Sequence, residues 1–315
     1  MSREKAAIVR IKEARTSWKS DLMMNWGVYI LFLPVLAYFI IFNYLPMFGV
    51  VMAFQDFNAV RGFFGSTFVG FDNFIAFFSH PSFLQILRNT LVISLLGLFF
   101  GMPLSIIFAI LLNEIHLRRF KKTVQTISYL PYFVSVVVMT GLIIEFVSSN
   151  GFITNILVNA FGIKRENLLL NASYFWGINL ISDLWQGMGY GAIIYIAAIT
   201  GVSQELHEAA GMDGAGRLRR TWHITLPAIR PTIVTMLILR LGMVMTVGFD
   251  KILLLYNPTI YSTADVISTH VMRMGLERAQ YGYSAAVGLF NSVVGTILLI
   301  ASNTISRKLS DTSVY

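Results

Sequence analysis

The stretch His207–Gly211 reads H-E-A-A-G. It begins like the zinc-protease pattern in which two histidines one helical turn apart hold the metal and a glutamate acts as base. Gly211 stands where the second histidine is needed. His80, His116, His223 and His270 are scattered, without the helical spacing that would chelate an ion. The overlapping G-M-D-G-A-G-R, Gly211–Arg217, has the two-glycine spacing of a phosphate-binding loop. It carries Arg217 where lysine must reach the phosphates, Leu218 follows, and no strand leads into it, so the match is rejected. No serine sits in a G-x-S-x-G elbow, and the absence of cysteine removes thiol nucleophiles, disulfides and thiolate metal sites. The sequence therefore offers no catalytic residue and no metal site.

The elements that position the remaining polar groups follow from composition. The 315 residues are 56% hydrophobic and only 13% charged, with a mean hydropathy of +0.67. A soluble domain carries about 25% charge, and a water-facing surface cannot be built from half of that. The chain is an all-α integral membrane protein by this reading. Its 14% aromatic content fits interfacial belts. The net charge of +8 is dispersed among loops rather than gathered into a stripe, which argues for topology rather than nucleic acid.

A membrane helix needs about 20 mostly apolar residues. Charge-free runs at 27–54, 89–113, 123–144 and 279–306 meet that length, and two more, 178–201 and 232–255, meet it while carrying charges. Six transmembrane helices are predicted. The first is too long in its apolar core for a signal peptide, and more spans follow it. Most of the 24 lysines and arginines fall on one side: the N-terminal tail, Arg118–Lys122, Arg217–Arg230, and Arg307 with Lys308. Both termini are accordingly expected in the cytoplasm. Residues 1–25 are read as an amphipathic tail, with Ala7, Ile11, Ala14, Trp18 and Leu22 on one face, lying on anionic lipid. Residues 26–306 form the transmembrane domain, and 307–315 a cytoplasmic C-terminal tail.

On this topology 202–231 is a cytoplasmic loop. Ser203 is a plausible N-cap, with Glu205 in the first turn where acid suits the helix dipole. A helix is predicted over 206–213, ending at Gly214 in the left-handed conformation. Ala209 and Ala210 leave one side nearly flat. A second short helix follows over 217–223, and Pro227 and Pro231 are expected to break the chain before the fifth span.

The string E-A-A, three residues, G, nine residues, I-x-L-P is spelled by Glu208-Ala209-Ala210, Gly214, Ile224 and Leu226-Pro227. It would arise by chance on the order of once in 10⁸ start positions. It resembles the EAA loop of permease subunits of binding-protein-dependent ABC importers. V-G-F-D-N-F-I-A-F-F (Val69–Phe78), L-R-N-T-L (Leu87–Leu91), L-L-N-E (Leu111–Glu114) and S-Y-L-P-Y-F-V-S (Ser128–Ser135) look like the sugar branch. The segment Arg240–Pro258 is similar to permeases for oligosaccharides and polysaccharide fragments.

The resemblance implies a type I importer permease fold in a bacterial inner membrane, with 202–231 as the coupling loop. Glu208, Ala209, Ala210, Gly211, Asp213 and Gly214 would shape the contact with an ATPase, and Ile224, Leu226 and Pro227 would join it to the fifth helix. It implies as partners a second homologous permease, an ATPase pair carrying the ATP and Mg, and an extracytoplasmic solute-binding protein. This chain would bind no cofactor.

Arg240 falls eight residues into the predicted fifth helix, roughly 12 Å deep at 1.5 Å per residue. A charge there usually faces a cavity or a partner. Either it lines the pathway and meets a uronate or sugar hydroxyls, or it is structural, for instance paired with Asp183. Trp185, Tyr190 and Asn291 are further sugar-facing candidates, each also explained by interhelical packing. Asp250 and Lys251 are expected to snorkel to water near the outer end. Pro103 and Pro131 are expected to kink their helices. A secondary transporter would explain the buried charges without partners, but it leaves the loop helix unexplained.

Overall fold

The computed structural model describes residues 18–310. Most of the expected amphipathic tail, and the last five residues, lie outside the described residues. The chain divides into two compact units, Met1–Val51 and Met52–Tyr315. The first holds the bulk of the helical run Trp26–Phe54, which is apolar all round and long enough to cross a membrane.

In the second unit a short hairpin pairs Gln55–Asp56 with Thr67–Phe68. Beyond it come the helical runs Phe83–Glu114 and Arg118–Phe133, then Val136–Phe146 and the long helix Ala172–Thr200. Gln204–Met212, Arg217–Gly242, Phe249–Leu255 and Tyr281–Ser310 follow. Among the described residues, four helices are long and apolar enough to cross a membrane: Trp26–Phe54, Phe83–Glu114, Arg217–Gly242 and Tyr281–Arg307. A fifth is added if Arg118–Phe133 and Val136–Phe146 count as one broken span. The helix Ala172–Thr200, 29 residues long, has the length but not the hydropathy of the other four, because Asn179, Ser182, Asp183 and Gln186 lie along it.

Packing follows membrane rules, in which small residues let backbones approach closely. Ala172–Thr200 lies along Met102–Glu114, with Ala109 and Ala192 fully buried and Gly191 directly against Ser105. A Cβ on Gly189 would collide with the carbonyl of Ser128. Gly242 meets Leu299 in the same way, which seats Arg217–Gly242 on the last helix. Leu98, Met102, Tyr195, Ile199 and Ile229 complete this part of the core.

Two expectations change in detail. The run predicted as one span over 123–144 is bent by 97°. The turn Leu130–Phe133 carries Pro131, and Ser135 restarts the helix by accepting from the backbone N–H of Val138. Pro131 therefore does more than kink its helix. The fifth span ends at Gly242, not near 255: the chain leaves helical geometry over Met243–Gly248 and resumes at Phe249.

The segment after Leu255 is fixed by buried apolar residues, among them Ile260, Val266 and Ile267, and by polar contacts. Asn89 donates to the carbonyl of Asp265 at 2.9 Å, and Thr90 accepts from the N–H of Ile267 at 3.0 Å. Arg273 grips the carboxylate of Asp265 with two nitrogens, at 3.1 and 2.5 Å. His270 is buried beside them, 2.9 Å from the hydroxyl of Tyr283. Desolvation pushes its pKa down to about 4; Asp265 opposes the shift, and His80, Arg273 and Arg278 add to it.

Candidate functional site: a coupling loop and a charged cavity

The loop helix runs Gln204–Met212. Ser203 occupies the N-cap position, although its side chain makes no capping bond, and Glu205 lies in the first turn. Gly214 adopts φ +77°, and no atom lies within 4 Å of where its Cβ would stand. Glycine is thus needed there for conformation, not for space. The N–H of Ala215 reaches the carbonyl of Ala210 at 2.8 Å and that of Gly214 reaches Gly211 at 3.1 Å. These two bonds form a Schellman ending that satisfies carbonyls the helix would otherwise leave open.

The two prolines do not break the chain as expected. Arg217–Gly242 is one helical run of 26 residues. A wide turn over Thr221–Thr225 precedes Pro227, which sits in the first turn of Leu226–Gly242. That turn makes room for a ring that would otherwise clash with the carbonyl four residues back. Pro231 is carried inside the helix. The short helix expected to stop at 223 is therefore the root of the span itself.

Glu208, Ala209, Gly211, Asp213 and Gly214 are exposed, and Ala210 is half-buried. Ile224 and Leu226 are half-buried where the run meets the bundle, and Pro227 is exposed. Sequence reasoning missed the apolar residues beside the motif. Met212 is 91% exposed, Leu218 87% and Trp222 70%. Large apolar side chains inside a basic, polar loop were the available signal. Behind the helix, Arg220 donates to the carbonyl of His207 at 3.4 Å, and Arg217 lies 3.9 Å from Glu114.

The second candidate region lies at the other end of the same run. Arg240 is in the last turn of Arg217–Gly242, two residues from its end, where a cation suits the helix dipole. It makes no ion pair with any described residue. A cavity of about 410 Å³ is lined by Arg240, Asp183, Gly97, Met243, Val247 and neighbouring residues. Asp183 does not pair with Arg240. Its partner is Lys251, at 2.7 Å, and Lys251 is buried rather than snorkelling to water. The ammonium also donates to the hydroxyl of Ser182 at 2.5 Å and the carbonyl of Asn179 at 3.2 Å, while Asn179 donates to Asp183 at 2.9 Å.

The other candidates are placed elsewhere. Trp185 lines a separate apolar cavity of about 430 Å³ with Met139, Phe146 and Ile181. Tyr190 stacks on Tyr132, with ring centres 3.7 Å apart and planes 3° apart. Asn291 has a buried side-chain oxygen without a partner, and Asp250 is exposed; neither lines the cavity of Arg240. Among the described residues no group of three His, Cys, Asp or Glu could hold a metal.

Residues 101–311, which include the loop and Asp183, Arg240 and Lys251, match the family described as binding-protein-dependent transport system inner membrane component. The chain belongs to this family. Its membership makes it a membrane transport subunit, not an enzyme, in a system whose ATP is hydrolysed by a separate chain. It is 41% identical over 309 residues to the polygalacturonan/rhamnogalacturonan transport system permease protein YteP of Bacillus subtilis, covering 98% of this chain and 96% of that one. It is 42% identical over 299 residues to protein LplB of the same organism, covering 95% and 94%. A solved bacterial alginate ABC transporter, in complex with an alginate pentasaccharide-bound periplasmic protein, contains a similar chain. That chain has a TM-score of 0.85 and 40% identity, with 94% of this chain and 99% of that one covered. The all-α permease fold implied by the loop motif is the fold of this chain.

Proposed function

We propose that this permease imports an acidic oligosaccharide as one half of a pathway completed by a second, homologous permease. An extracytoplasmic solute-binding protein delivers the saccharide. An ATPase pair, which carries the ATP and Mg, grips residues 202–231 from the cytoplasm, where both termini also lie. The single observation that carries this reading is mechanical. The capped helix at Glu208–Gly214 presents bare small residues and an apolar rim, and one unbroken helical run leads from Arg217 to the charge-lined cavity.

Glu208, Ala209, Ala210, Gly211, Asp213 and Gly214 form the face that the ATPase holds, with Met212, Leu218 and Trp222 around it. Ile224, Leu226 and Pro227 root that face in the span, so a push on the loop moves the whole run as a lever. The pathway then switches between two states because the ATPase binds the loop differently in each. Arg240, with Asp183 beside it, faces the passing saccharide. Trp185, Tyr190, Asp250 and Asn291 take no part in that contact. The acidic substrate is supported by two relatives whose names specify polygalacturonan and alginate, both built of carboxylate-bearing sugars, and by a cation in the cavity.

The experiment is a crosslinking scan in native vesicles, with single cysteines at Glu208, Met212 and Leu218. Capture of an ATPase chain, lost or altered when a non-hydrolysable nucleotide is added, is the expected result. Absence of any nucleotide-binding chain from the products would overturn the reading. The purified chain alone should neither hydrolyse ATP nor move sugar.

A further inference from the structure

We infer that Lys251 sets the charge selectivity of the cavity by cancelling Asp183, so that Arg240 is left as its one uncompensated cation and the site takes a single carboxylate-bearing sugar ring at a time. This rests on the reading of Arg240 as a pathway residue. It adds a residue that lies outside the cavity wall and yet decides what the wall attracts.

Among the described residues, two charged side chains line this cavity, Asp183 and Arg240. Taken alone they would sum to zero and give no preference for an anion. Lys251 changes the sum. Its ammonium is buried, with the side chain 7% exposed, and it is held by Asp183, Ser182 and Asn179, while Asp183 itself is 47% exposed. The pair is thus arranged with its cation inside and its anion at the surface, and the carboxylate is the member a ligand could touch. A bound uronate ring would place its carboxylate on the guanidinium of Arg240, where paired N–H groups fit a carboxylate. The carboxylate of Asp183, oriented by Lys251, is an acceptor that suits ring hydroxyls on the same sugar. A volume of about 410 Å³, near the lower end of small-molecule sites, has room for such a ring.

The segment Met243–Gly248 connects the two charges, since Arg240 ends one helix and Lys251 lies in the first turns of the next. Met243, Val244, Thr246, Val247 and Gly248 from that segment line the cavity. Lys251 is therefore a positioning residue. It pins the start of Phe249–Leu255 to Ala172–Thr200 and so holds one wall in place.

The test uses the complete transporter with its binding protein, reconstituted in proteoliposomes. A trisaccharide of galacturonate is compared with the neutral galactose trisaccharide of the same linkage, and the ratio of their uptake rates is read. Using one binding protein throughout makes its own preference cancel between variants. K251M uncovers Asp183, and the ratio is expected to fall about tenfold toward the neutral sugar. D183N/K251M removes both charges at nearly constant volume and should restore the wild-type ratio to within about threefold. A K251M ratio equal to wild type overturns the inference. So does loss of the acidic preference in D183N/K251M, which can be read even if K251M fails to assemble. A parallel drop in both sugars without a change in ratio would mean that the pair only holds structure. If the wild type shows no acidic preference, the substrate reading fails instead.

Discussion

The two ends of Arg217–Gly242 are held by opposite means. At the loop end, order is local: a helix of nine residues, a left-handed glycine and two closing hydrogen bonds, all within thirteen residues of sequence, with most side chains exposed. At the cavity end, order is long-range: the wall is pinned by a lysine and an aspartate 68 residues apart, one of them buried. On the proposed function the loop is grasped by another chain and gains nothing by hiding its surface. The cavity must keep charges in a fixed arrangement within an apolar protein, and only buried, mutually satisfied groups do that.

The comparison breaks most readily at the ion pair. Asp183→Asn leaves the ammonium of Lys251 buried with only Ser182 and Asn179 as acceptors. Stranding a buried charge costs about 3–5 kcal/mol, and the half-exposed partner places this case lower, at about 2–3 kcal/mol. The midpoint of thermal unfolding of the purified subunit should fall by several degrees, whereas D183N/K251M should recover most of the loss. An Asp183→Asn protein as stable as wild type would show that the pair is not what orders this region.

A second buried cluster sharpens the contrast through pH. His270 has a folded pKa of about 4 against an ordinary 6.5. As pH falls the unfolded chain takes up the proton first, so this histidine's contribution is complete above about pH 6.5 and declines toward pH 4. The loss by pH 5 is about 1–2 kcal/mol after allowance for solvent screening. His270→Gln should flatten that part of the stability–pH profile, read as unfolding temperature at pH 7 and pH 5. An unchanged slope would mean that the imidazole is already hydrated in the folded protein.

The difference between the regions also explains what could be read from the sequence. The loop was legible because everything that builds it is close in sequence: the E-A-A string, Gly214 where the left-handed turn falls, and the exit at Ile224–Pro227. The prolines misled, because the wide turn that accommodates Pro227 has no sequence signature of its own. The break after Gly242 was hidden for a similar reason. Met243, Val244, Met245 and Val247 extend the apolar run past Gly242 with a single Thr246 among them, and periodicity cannot separate an irregular apolar segment from a buried helix. The partner of Asp183 was illegible for a different reason. A pair across 68 residues is set by how helices pack, and Arg240, Asp250 and Lys251 were equally available as cations or neighbours on sequence grounds. Pro131 announced a bend, but not that it would reach 97°.

At the loop, Gly214→Ala is the measured blow. An alanine at φ +77° costs about 1 kcal/mol, enough to fray the last turn of a short helix and too little to unfold the subunit. Uptake per ATP hydrolysed should drop severalfold, while the unfolding temperature moves by no more than a few degrees. A variant that unfolds before it uncouples would contradict the local character assigned to this region.

The smallest effect tests the edge of the charged region. Asp250 is adjacent to Lys251, yet it is exposed, makes no ion pair with any described residue and does not line the cavity. If the charge that matters is set by burial and contact, as the pair of Lys251 with Asp183 implies, then Asp250→Asn should shift stability by less than about 0.5 kcal/mol. It should also leave the ratio of acidic to neutral saccharide uptake unchanged. A change in that ratio comparable to the one expected from Lys251→Met would mean that charge acts on the substrate from the surface of this segment as well as from its interior. The distinction between an anchored cavity and an open rim would then have to be redrawn around Asp250.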